Sequence, residues 1–409
     1  MYKRQDVVII NTCGFIQSAK EEAIEEIMEA ISRKNDGINK KIIVTGCLAE
    51  RYQKQMDEEF PEIDAVVGIA KNDDIVEIIN SVMLDRRVVT FGDKLCHNME
   101  GDKLQSTLPH YAYLRIADGC SNKCSYCAIP LIRGKMRSRK MENIIEEAKK
   151  FAENGVKELV IVAQDVTAYG IDLYKKYALP DLLKQLCKID GIKWIRLLYC
   201  YPERMTDELI ETIKTEDKVL NYIDIPIQHC NKEILRNMYR GGDEQSLREL
   251  FAKLRREIPG VVLRTTLITG FPGETEEQFS ELAEFVNDIK FERLGCFAYS
   301  AEEDTPAAEM PDQVDEGERQ RRADIITSEQ EIRMGEYYAG MVGNTYEVVC
   351  EGFDRYSDMY FGRSMHFAPE IDGMIYFTSA KDKGSLTIGD FVNVKITDVL
   401  ENNLLGERV

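Results

Sequence analysis

The sequence predicts an α/β protein in three parts: an N-terminal open α/β domain, a central partial (β/α)6 barrel and a small C-terminal antiparallel β-barrel. Three observations predict this arrangement. Short apolar strands and amphipathic helices begin the chain, six strand–helix pairs alternate strictly after Tyr111, and the last segment changes to short strands separated by glycine and polar turns. We expect the domains at 1–105 (with a linker), 106–338 and 339–409.

The composition indicates a globular chain in a reducing compartment. Of its 409 residues 44% are hydrophobic and 31% are charged, and no apolar run approaches the length that a membrane span needs. The chain begins without the plan of a signal peptide, so we expect a cytoplasmic protein. Eleven cysteines in such a chain favour reduced thiols and metal ligation over disulfides.

The charge balance argues against nucleic acid as the main partner. Lys and Arg number 53 against 72 Asp and Glu, a formal net charge of -19. Nucleic-acid binding gains most of its affinity from counterion release by basic surface, which this chain lacks overall. A protein or a small molecule is therefore the expected substrate.

The first domain is predicted to contain three strands and two helices in an open α/β unit. The strands are expected at 6–12, 41–46 and 62–68 and the helices at 18–31 and 74–83, before a linker over 91–110. Cys13 and Cys47 each follow the carboxyl end of a strand, where parallel sheets place ligands. Burial as ordinary packing residues carries equal weight on spacing alone.

The central domain is predicted to be a parallel sheet that curls into a partial barrel. The active site is then expected at the carboxyl ends of the strands. Helices are predicted at 141–154, 206–214, 244–257 and 275–289. The strands are predicted at 113–117, 158–163, 194–199, 222–227, 261–268 and 293–299.

The loop after the first of these strands carries Cys120, Cys124 and Cys127, with Tyr126 before the last cysteine. Three thiolates on one loop can hold a four-iron cluster and leave its fourth iron open to a ligand, which suits activation of a substrate or cosubstrate. A zinc site would need a fourth ligand, for which Cys96 and His97 are the nearby candidates. A zinc-binding scaffold without catalytic activity is therefore the alternative.

The spacing CxxxCxxC resembles the signature of the radical S-adenosylmethionine (SAM) enzymes. The resemblance implies a [4Fe-4S] cluster whose open iron is chelated by the amine and carboxylate of SAM. Electron transfer into the sulfonium then makes a 5′-deoxyadenosyl radical.

Polar residues at other strand ends are candidates for holding SAM. Gln164 and Asp165 follow the second strand in a segment similar to the AQDxxAYG of methylthiotransferases, although Asp165 could equally be a turn cap. Arg196 lies inside the third strand, where either a cosubstrate carboxylate or a buried ion pair could balance it. His229 closes the fourth strand and is more often structural in such a place.

The fifth strand and the turn after it complete this candidate set. The strand contains Thr265, and the turn TGFPGET (269–275) resembles the segment that contacts the adenine of SAM, although an ordinary tight turn with an N-cap would look the same. The expected cofactor-binding residues are Tyr126, Gln164, Arg196, Thr265 and Gly270.

Three further segments resemble the methylthiotransferase family: NTCGF (11–15), TGCLAER (45–51) and the basic run IRGKMRSR (132–139). The resemblance implies that Cys13 and Cys47 belong to a second, auxiliary [4Fe-4S] cluster held by three N-terminal cysteines. The first of the three is absent from this chain. We expect that the N-terminus is truncated, that its start is misplaced, or that this variant has lost a ligand.

The last segment is predicted to be a small barrel with strands at 345–350, 374–378 and 391–399, after a long polar helix over 317–338. Its position resembles that of the TRAM domain that ends methylthiotransferases. Residues 342–409 contain six Lys and Arg and eleven Asp and Glu, a difference of 6 - 11 = -5. This negative charge argues against RNA binding.

Two bacterial branches of the family differ in their substrate. One methylthiolates the β-carbon of an aspartate in the twelfth protein of the small ribosomal subunit, and the other an adenosine in tRNA. The chain looks like the first branch, and its acidic C-terminal segment would attract a basic ribosomal protein. We expect a flavodoxin or ferredoxin-like electron donor. The segments that resemble the ribosomal-protein branch are 201–203, 228–231, 362–364 and 368–373.

Overall fold

The structure, a computed structural model, describes residues 5–96, 98–101 and 104–409. Contacts divide these residues into two compact units. Unit 1 comprises the described residues within Met1–Asp102, Asp118–Arg137 and Ser300–Met310, and unit 2 those within Lys103–Ala117, Ser138–Tyr299 and Pro311–Val409. The units therefore draw on separated segments, whereas the sequence predicted three consecutive domains.

Unit 1 contains a four-stranded parallel sheet in the order β1-β2-β3-β4. The three predicted strands are present, and β4 adds a fourth that is too short for a recognisable period. The N-terminal elements are β1 (Gln5–Thr12), α1 (Gln17–Asn35), β2 (Asn39–Gly46), α2 (Cys47–Arg51), α3 (Gln53–Glu59), β3 (Ala65–Val67), a 3-10 turn (Ile69–Asp74), α4 (Ile75–Met83) and β4 (Val88–Thr90).

The core of this sheet is built from the spacing of apolar residues on α1. Ala23, Ile27 and Ala30 recur at helical spacing and are buried against Val44 of β2 and Val66 of β3. The parallel pairing of β1 and β2 brings their carboxyl ends together, which decides where Cys13 and Cys47 lie.

Unit 2 contains the six-stranded parallel sheet that the alternation predicts. Its order is β12-β11-β10-β9-β8-β5, with open edges at β12 and β5, so it is a partial barrel. The strands are β5 (Tyr111–Arg115), β8 (Glu158–Val162), β9 (Trp194–Leu197), β10 (Val219–Asp224), β11 (Val262–Thr269) and β12 (Arg293–Ala298); the two-residue strands β6 (Ala117–Asp118) and β7 (Arg137–Ser138) flank the cysteine loop in the sequence.

The helices confirm the predicted alternation and add three short ones that were not predicted. They are α5 (Ile129–Arg133), α6 (Met141–Glu153), α7 (Leu179–Leu186), α8 (Asp207–Thr215), α9 (Lys232–Asn237), α10 (Glu244–Glu257), α11 (Glu276–Ile289) and α12 (Glu316–Met341), with 3-10 turns at Val166–Ala168, Pro202–Arg204, Pro306–Glu309 and Lys381–Lys383. In the described residues no helix is both long and apolar enough to cross a lipid bilayer.

Successive residues of each central strand point to opposite faces of the sheet. We call one of them the inner face. Through the strand register it carries Tyr111 and Tyr113 of β5, Glu158, Val160 and Val162 of β8, Trp194 and Arg196 of β9, Tyr222 and Asp224 of β10, Arg264 and Thr266 of β11, and Arg293 of β12.

The C-terminal segment forms a closed five-stranded barrel in the order β13-β14-β15-β17-β16. It differs from the predicted antiparallel barrel in one pair, since β15 and β17 run parallel. A closed ring of five strands cannot alternate direction throughout, so one pair has to be parallel. The strands are β13 (Thr345–Asp354), β14 (Met359–Ser364), β15 (Ile375–Thr378), β16 (Phe391–Leu400) and β17 (Asn403–Arg408).

A buried network of charges joins the barrel to the inner face of the sheet within unit 2. Glu158 accepts hydrogen bonds from Arg196 Nε at 2.7 Å and from Arg363 Nη2 at 2.9 Å. Arg363 Nε also donates to Glu351 at 2.8 Å, and His110 lies 3.0 Å from the same carboxylate. Glu158, Arg196 and Arg363 are at most 1% exposed. This network ties the barrel to the sheet.

A loop of the barrel covers the amino-terminal part of the inner face. Tyr111 and Tyr113 donate to the two carboxylate oxygens of Glu370 at 2.7 and 3.0 Å, and Tyr222 donates to Asp372 at 2.7 Å. The carboxyl ends of the strands are therefore the part of this face that remains for a ligand.

Candidate active site

The cysteine loop of unit 1 is held by backbone hydrogen bonds. Cys120 N donates to Gly134 O at 3.1 Å, and Cys127 N donates to Cys124 O at 3.1 Å. Gly119 has a φ of +74°, and a Cβ there would lie 2.5 Å from Lys135 O, so the loop requires glycine before Cys120.

The thiols of Cys120, Cys124 and Cys127 are half-buried on this one loop, as is Tyr126. A donor set made of cysteine alone suits iron–sulfur ligation. Across the described residues, however, no three His, Cys, Asp or Glu side chains are gathered into a metal-ligand group. For the zinc alternative, Cys96 is exposed with its Sγ 3.6 Å from Asp93, and His97 lies outside the described residues.

Cys13 and Cys47 each come directly after the last residue of a strand. These last residues, Thr12 of β1 and Gly46 of β2, are paired with each other in the sheet. Gly46 has a φ of +98° and approaches the backbone of Thr12 too closely for a side chain. A Cβ on Gly14 would lie 2.7 Å from Leu48 N. Glycines thus let the two cysteine turns approach each other, and Cys13 is exposed while Cys47 is half-buried.

The basic run places an arginine against the second of these cysteines, within unit 1. Arg133 Nη1 donates to Asp118 at 2.8 Å, and its Nη2 lies 3.5 Å from the Sγ of Cys47. Asp118 is buried and also lies 3.5 Å from Arg137. The resemblance of this run to the family did not predict its contact with Cys47.

The acidic segment after β12 also makes contacts that could not be predicted from the sequence. Glu302 is 2% exposed and binds Arg51 at 2.8 Å and Lys20 at 3.1 Å. Arg51 also donates to Gly14 O at 3.0 Å, beside the first cysteine turn. In the sequence, acidic residues near a proline indicate only a loop. The spacing of residues therefore could not show that Glu302 pairs with Lys20 and Arg51.

In unit 2, Gln164 and Asp165 follow β8 as predicted, and their roles differ. Gln164 Oε1 is buried without a hydrogen-bond partner among the described residues. Asp165 accepts from Thr167 Oγ1 at 2.6 Å and from Ala168 N at 3.2 Å, which is the cap that the sequence left open. A buried acceptor without a partner is expected where a ligand is missing, so Gln164 is the stronger candidate.

Two expected SAM contacts have protein partners instead. The guanidinium of Arg196 is paired with Glu158 and donates to Met365 O at 2.9 Å, which is the buried ion pair given above as the alternative. Thr265 lies on the face opposite the inner one, and its hydroxyl donates to Ile225 O at 2.8 Å. Strand alternation instead places its neighbours Arg264 and Thr266 on the inner face.

Gly270 lies at the end of β11 with a φ of +70°. A Cβ there would collide with Arg319 of α12, so helix packing already explains the glycine. Its N–H donates to Glu274 at 3.0 Å.

His229 is fully buried beside this turn and is structural in character. Its Nδ1 accepts from Asn231 N at 2.9 Å, and its Nε2 lies 3.6 Å from Glu274. Burial, with Arg322 nearby, lowers the pKa of His229 to about 3, so the ring is neutral. Cys200 and Cys230 are also buried.

Three family models match the chain. The Radical SAM superfamily matches residues 114–286, the TRAM domain 342–409, and the uncharacterized protein family UPF0004 residues 2–68.

Curated relatives are similar over nearly the whole chain. The "Ribosomal protein uS12 methylthiotransferase RimO" of Clostridium botulinum (strain Hall) is 47% identical over 406 residues, which cover 99% of this chain and 90% of the relative. The protein of the same name from Caldanaerobacter subterraneus is 48% identical over 99% of this chain and 92% of its own length. That from Clostridioides difficile is 46% identical over 99% and 91%.

Among solved structures, the radical SAM methyltransferase TsrM from Kitasatospora setae is similar in fold. Its form with cobalamin and a [4Fe-4S] cluster has a TM-score of 0.57 at 13% identity, covering 74% of this chain and 66% of that one. Its form with tryptophan and a SAM analogue has a TM-score of 0.56, covering 72% and 62%. The chain thus spans just under two thirds of TsrM, and the likeness shows the fold alone.

Proposed function

The chain belongs to the RimO family of ribosomal protein uS12 methylthiotransferases, and on this premise we propose that it attaches a methylthio group to the β-carbon of an aspartate in uS12. The observation that carries the proposal is the loop with Cys120, Cys124 and Cys127, which follows the first strand of a parallel sheet. A β C–H bond is too weakly acidic for a side-chain base, so this reaction needs a cofactor.

We assign Cys120, Cys124 and Cys127 as the ligands of an iron–sulfur cluster. When bound there, such a cluster supplies the electron with which SAM is cleaved, and this makes hydrogen abstraction from an unactivated carbon possible. As SAM contacts we propose Tyr126, Gln164 and the turn of Gly270 by their likeness to the family's segments. Arg196 and Thr265 are weaker candidates, because Arg196 is paired with Glu158 and the hydroxyl of Thr265 donates to Ile225 O. Of their polar side-chain atoms, only Nη2 of Arg196 is buried without a hydrogen-bond partner among the described residues.

We propose that Cys13 and Cys47 are ligands of an auxiliary cluster. Their adjacent strand ends and the contact of Arg133 with Cys47 support this role, since an arginine beside a thiolate offsets negative charge. A flavodoxin or ferredoxin-like donor, a cytoplasmic location and the three domains given above belong to the same proposal. The overall negative charge favours a basic ribosomal protein over tRNA.

Iron and sulfide per chain test the second cluster. After anaerobic reconstitution we expect about eight of each if Cys13 and Cys47 support an auxiliary cluster, and about four if only the loop is loaded. The double variant Cys13→Ala/Cys47→Ala is expected to keep about four of each. Iron content that is equal in the variant and the unaltered chain would remove Cys13 and Cys47 from the ligand set.

The substrate is tested in a bacterial strain that lacks its own uS12 methylthiotransferase. Expression of this chain is expected to restore the mass increase of one methylthio group on the uS12 peptide that contains the target aspartate. Mass analysis of tRNA from the same cells is the control. Methylthioadenosine that depends on the chain, with unmodified uS12, would assign it to the tRNA branch instead.

A further inference from the structure

Arg264 lies on the inner face at the level where four of the central strands end. β5, β8, β9 and β10 end at Arg115, Val162, Leu197 and Asp224. Asp224 is paired with Arg264 across β10 and β11. Ligands of parallel α/β folds bind at the carboxyl ends of strands, so Arg264 is a cation in a position to meet one.

Asp224 holds the guanidinium of Arg264 in place. Asp224 is fully buried, and its Oδ1 accepts from Arg264 Nη1 at 3.0 Å while its Oδ2 accepts from Tyr199 N at 2.9 Å. Tyr199 has a φ of +63°, a conformation that costs energy in a non-glycine residue. Both carboxylate oxygens are therefore occupied by groups at the edge of the site.

Most of the guanidinium remains available. Only one of its five N–H groups is used by Asp224, and among the described residues the others have no hydrogen-bond partner. The side chain of Arg264 is 18% exposed. An arginine that is held through one N–H group presents its other guanidinium N–H groups to a ligand. A carboxylate matches this planar arrangement of donors, because its two oxygens can accept two parallel hydrogen bonds.

The inner-face arginines Arg196 and Arg293 differ in this respect. Arg196 is committed to Glu158, and Arg293 donates to Glu292 O at 2.9 Å and lies 3.5 Å from Asp372. Both are at most 4% exposed. Neither offers an open edge comparable to that of Arg264.

We propose that Arg264 binds the side-chain carboxylate of the substrate aspartate and that Asp224 positions its guanidinium. The inference rests on the proposed function, because reaction at the β-carbon leaves that carboxylate intact. The carboxylate is ionised near neutral pH, whereas the amide of asparagine is neutral. A fixed guanidinium thus selects aspartate and orients its β-carbon.

The test uses cluster-loaded enzyme and a peptide containing the target loop of uS12. Arg264→Gln is expected to lower kcat/KM by about 100-fold, because a desolvated carboxylate loses its cation. The same peptide with asparagine at the target position serves as a competitive inhibitor. The unaltered enzyme is expected to bind the aspartate peptide at least about 10-fold more tightly than the asparagine peptide, and Arg264→Gln to bind both about equally.

SAM also carries a carboxylate, and a second arm distinguishes it. The dissociation constant of SAM and the 5′-deoxyadenosine formed without peptide are expected to stay within about two-fold in Arg264→Gln. Arg264→Lys, which keeps the charge, is expected to recover part of the discrimination. Arg248→Gln removes an arginine of α10 from the pairs with Glu244 and Asp288 and is the matched control.

Parallel losses of SAM binding and of peptide turnover in Arg264→Gln would overturn the inference and assign Arg264 to SAM. Unchanged discrimination between the two peptides would also overturn it. If Arg264→Gln does not fold, the same test is made with Arg264→Lys, by the ratio of its affinities for the aspartate and the asparagine peptide. An unaltered enzyme that does not modify the peptide would refute the proposed function and, with it, this inference.

Discussion

The variant Cys124→Ala is expected to form no 5′-deoxyadenosine from SAM after anaerobic reconstitution. Two thiolates, those of Cys120 and Cys127, would remain on the loop, and a site-differentiated four-iron cluster needs three. Chromatography of the nucleoside products, with a reductant present, measures the loss. We expect it to reach the detection limit, because no side-chain acid or base can replace an electron donor in this cleavage.

Cys187→Ala is the matched control, since it removes a half-buried thiol of the same chemistry that lies after α7. Its SAM cleavage is expected to equal that of the unaltered chain. SAM cleavage that persists undiminished in Cys124→Ala would show that the loop does not hold the cluster.

The variant Glu158→Gln is expected to lower the free energy of unfolding by about 3–5 kcal/mol, because two buried guanidiniums would lose a shared carboxylate. Arg196 and Arg363 would keep their charges at 0–1% exposure. Urea unfolding of the chain, followed by circular dichroism, measures the change. Glu347→Gln is the control: its pair with Lys193 is exposed, and its loss is expected to cost less than about 1 kcal/mol.

The pH dependence of unfolding tests the same carboxylate. Burial alone would raise the pKa of Glu158, but Arg363 and Arg196 outweigh it and lower the pKa to about 2. Since the folded-state pKa is below the unfolded value, the stabilisation is complete above about pH 4.5 and is lost as pH falls toward 2. Glu158→Gln should flatten the acid limb of the stability profile, and an unchanged acid limb would contradict this account.

Arg363 explains why the C-terminal barrel could not be placed from the sequence. Its strands were predicted from turns and alternation, which are local signals. Arg363 is 205 positions from Glu158, and no spacing rule connects them. Lys20 and Arg51 are 282 and 251 positions from Glu302, so the ion pairs of unit 1 were also beyond prediction from spacing.

Thr265 shows a different limit, because a motif locates a segment but does not orient its side chains. The motif identified β11 and its turn, yet only the register decides which of two neighbouring side chains lies on the inner face. That register puts Arg264 on the inner face and Thr265 behind it. A one-residue difference reverses the direction of a side chain in a strand.

Periodicity, spacing and motif are properties of neighbouring residues, and they were sufficient to predict the six alternating strands, the cysteine loop and the family. Tertiary structure alone decided that Arg196 is neutralised by Glu158, that Arg133 lies against Cys47 and that Asp224 leaves Arg264 with an open edge. Each of these depends on which distant segments pack together, and the energy of a buried charge depends on the partner that packing brings to it.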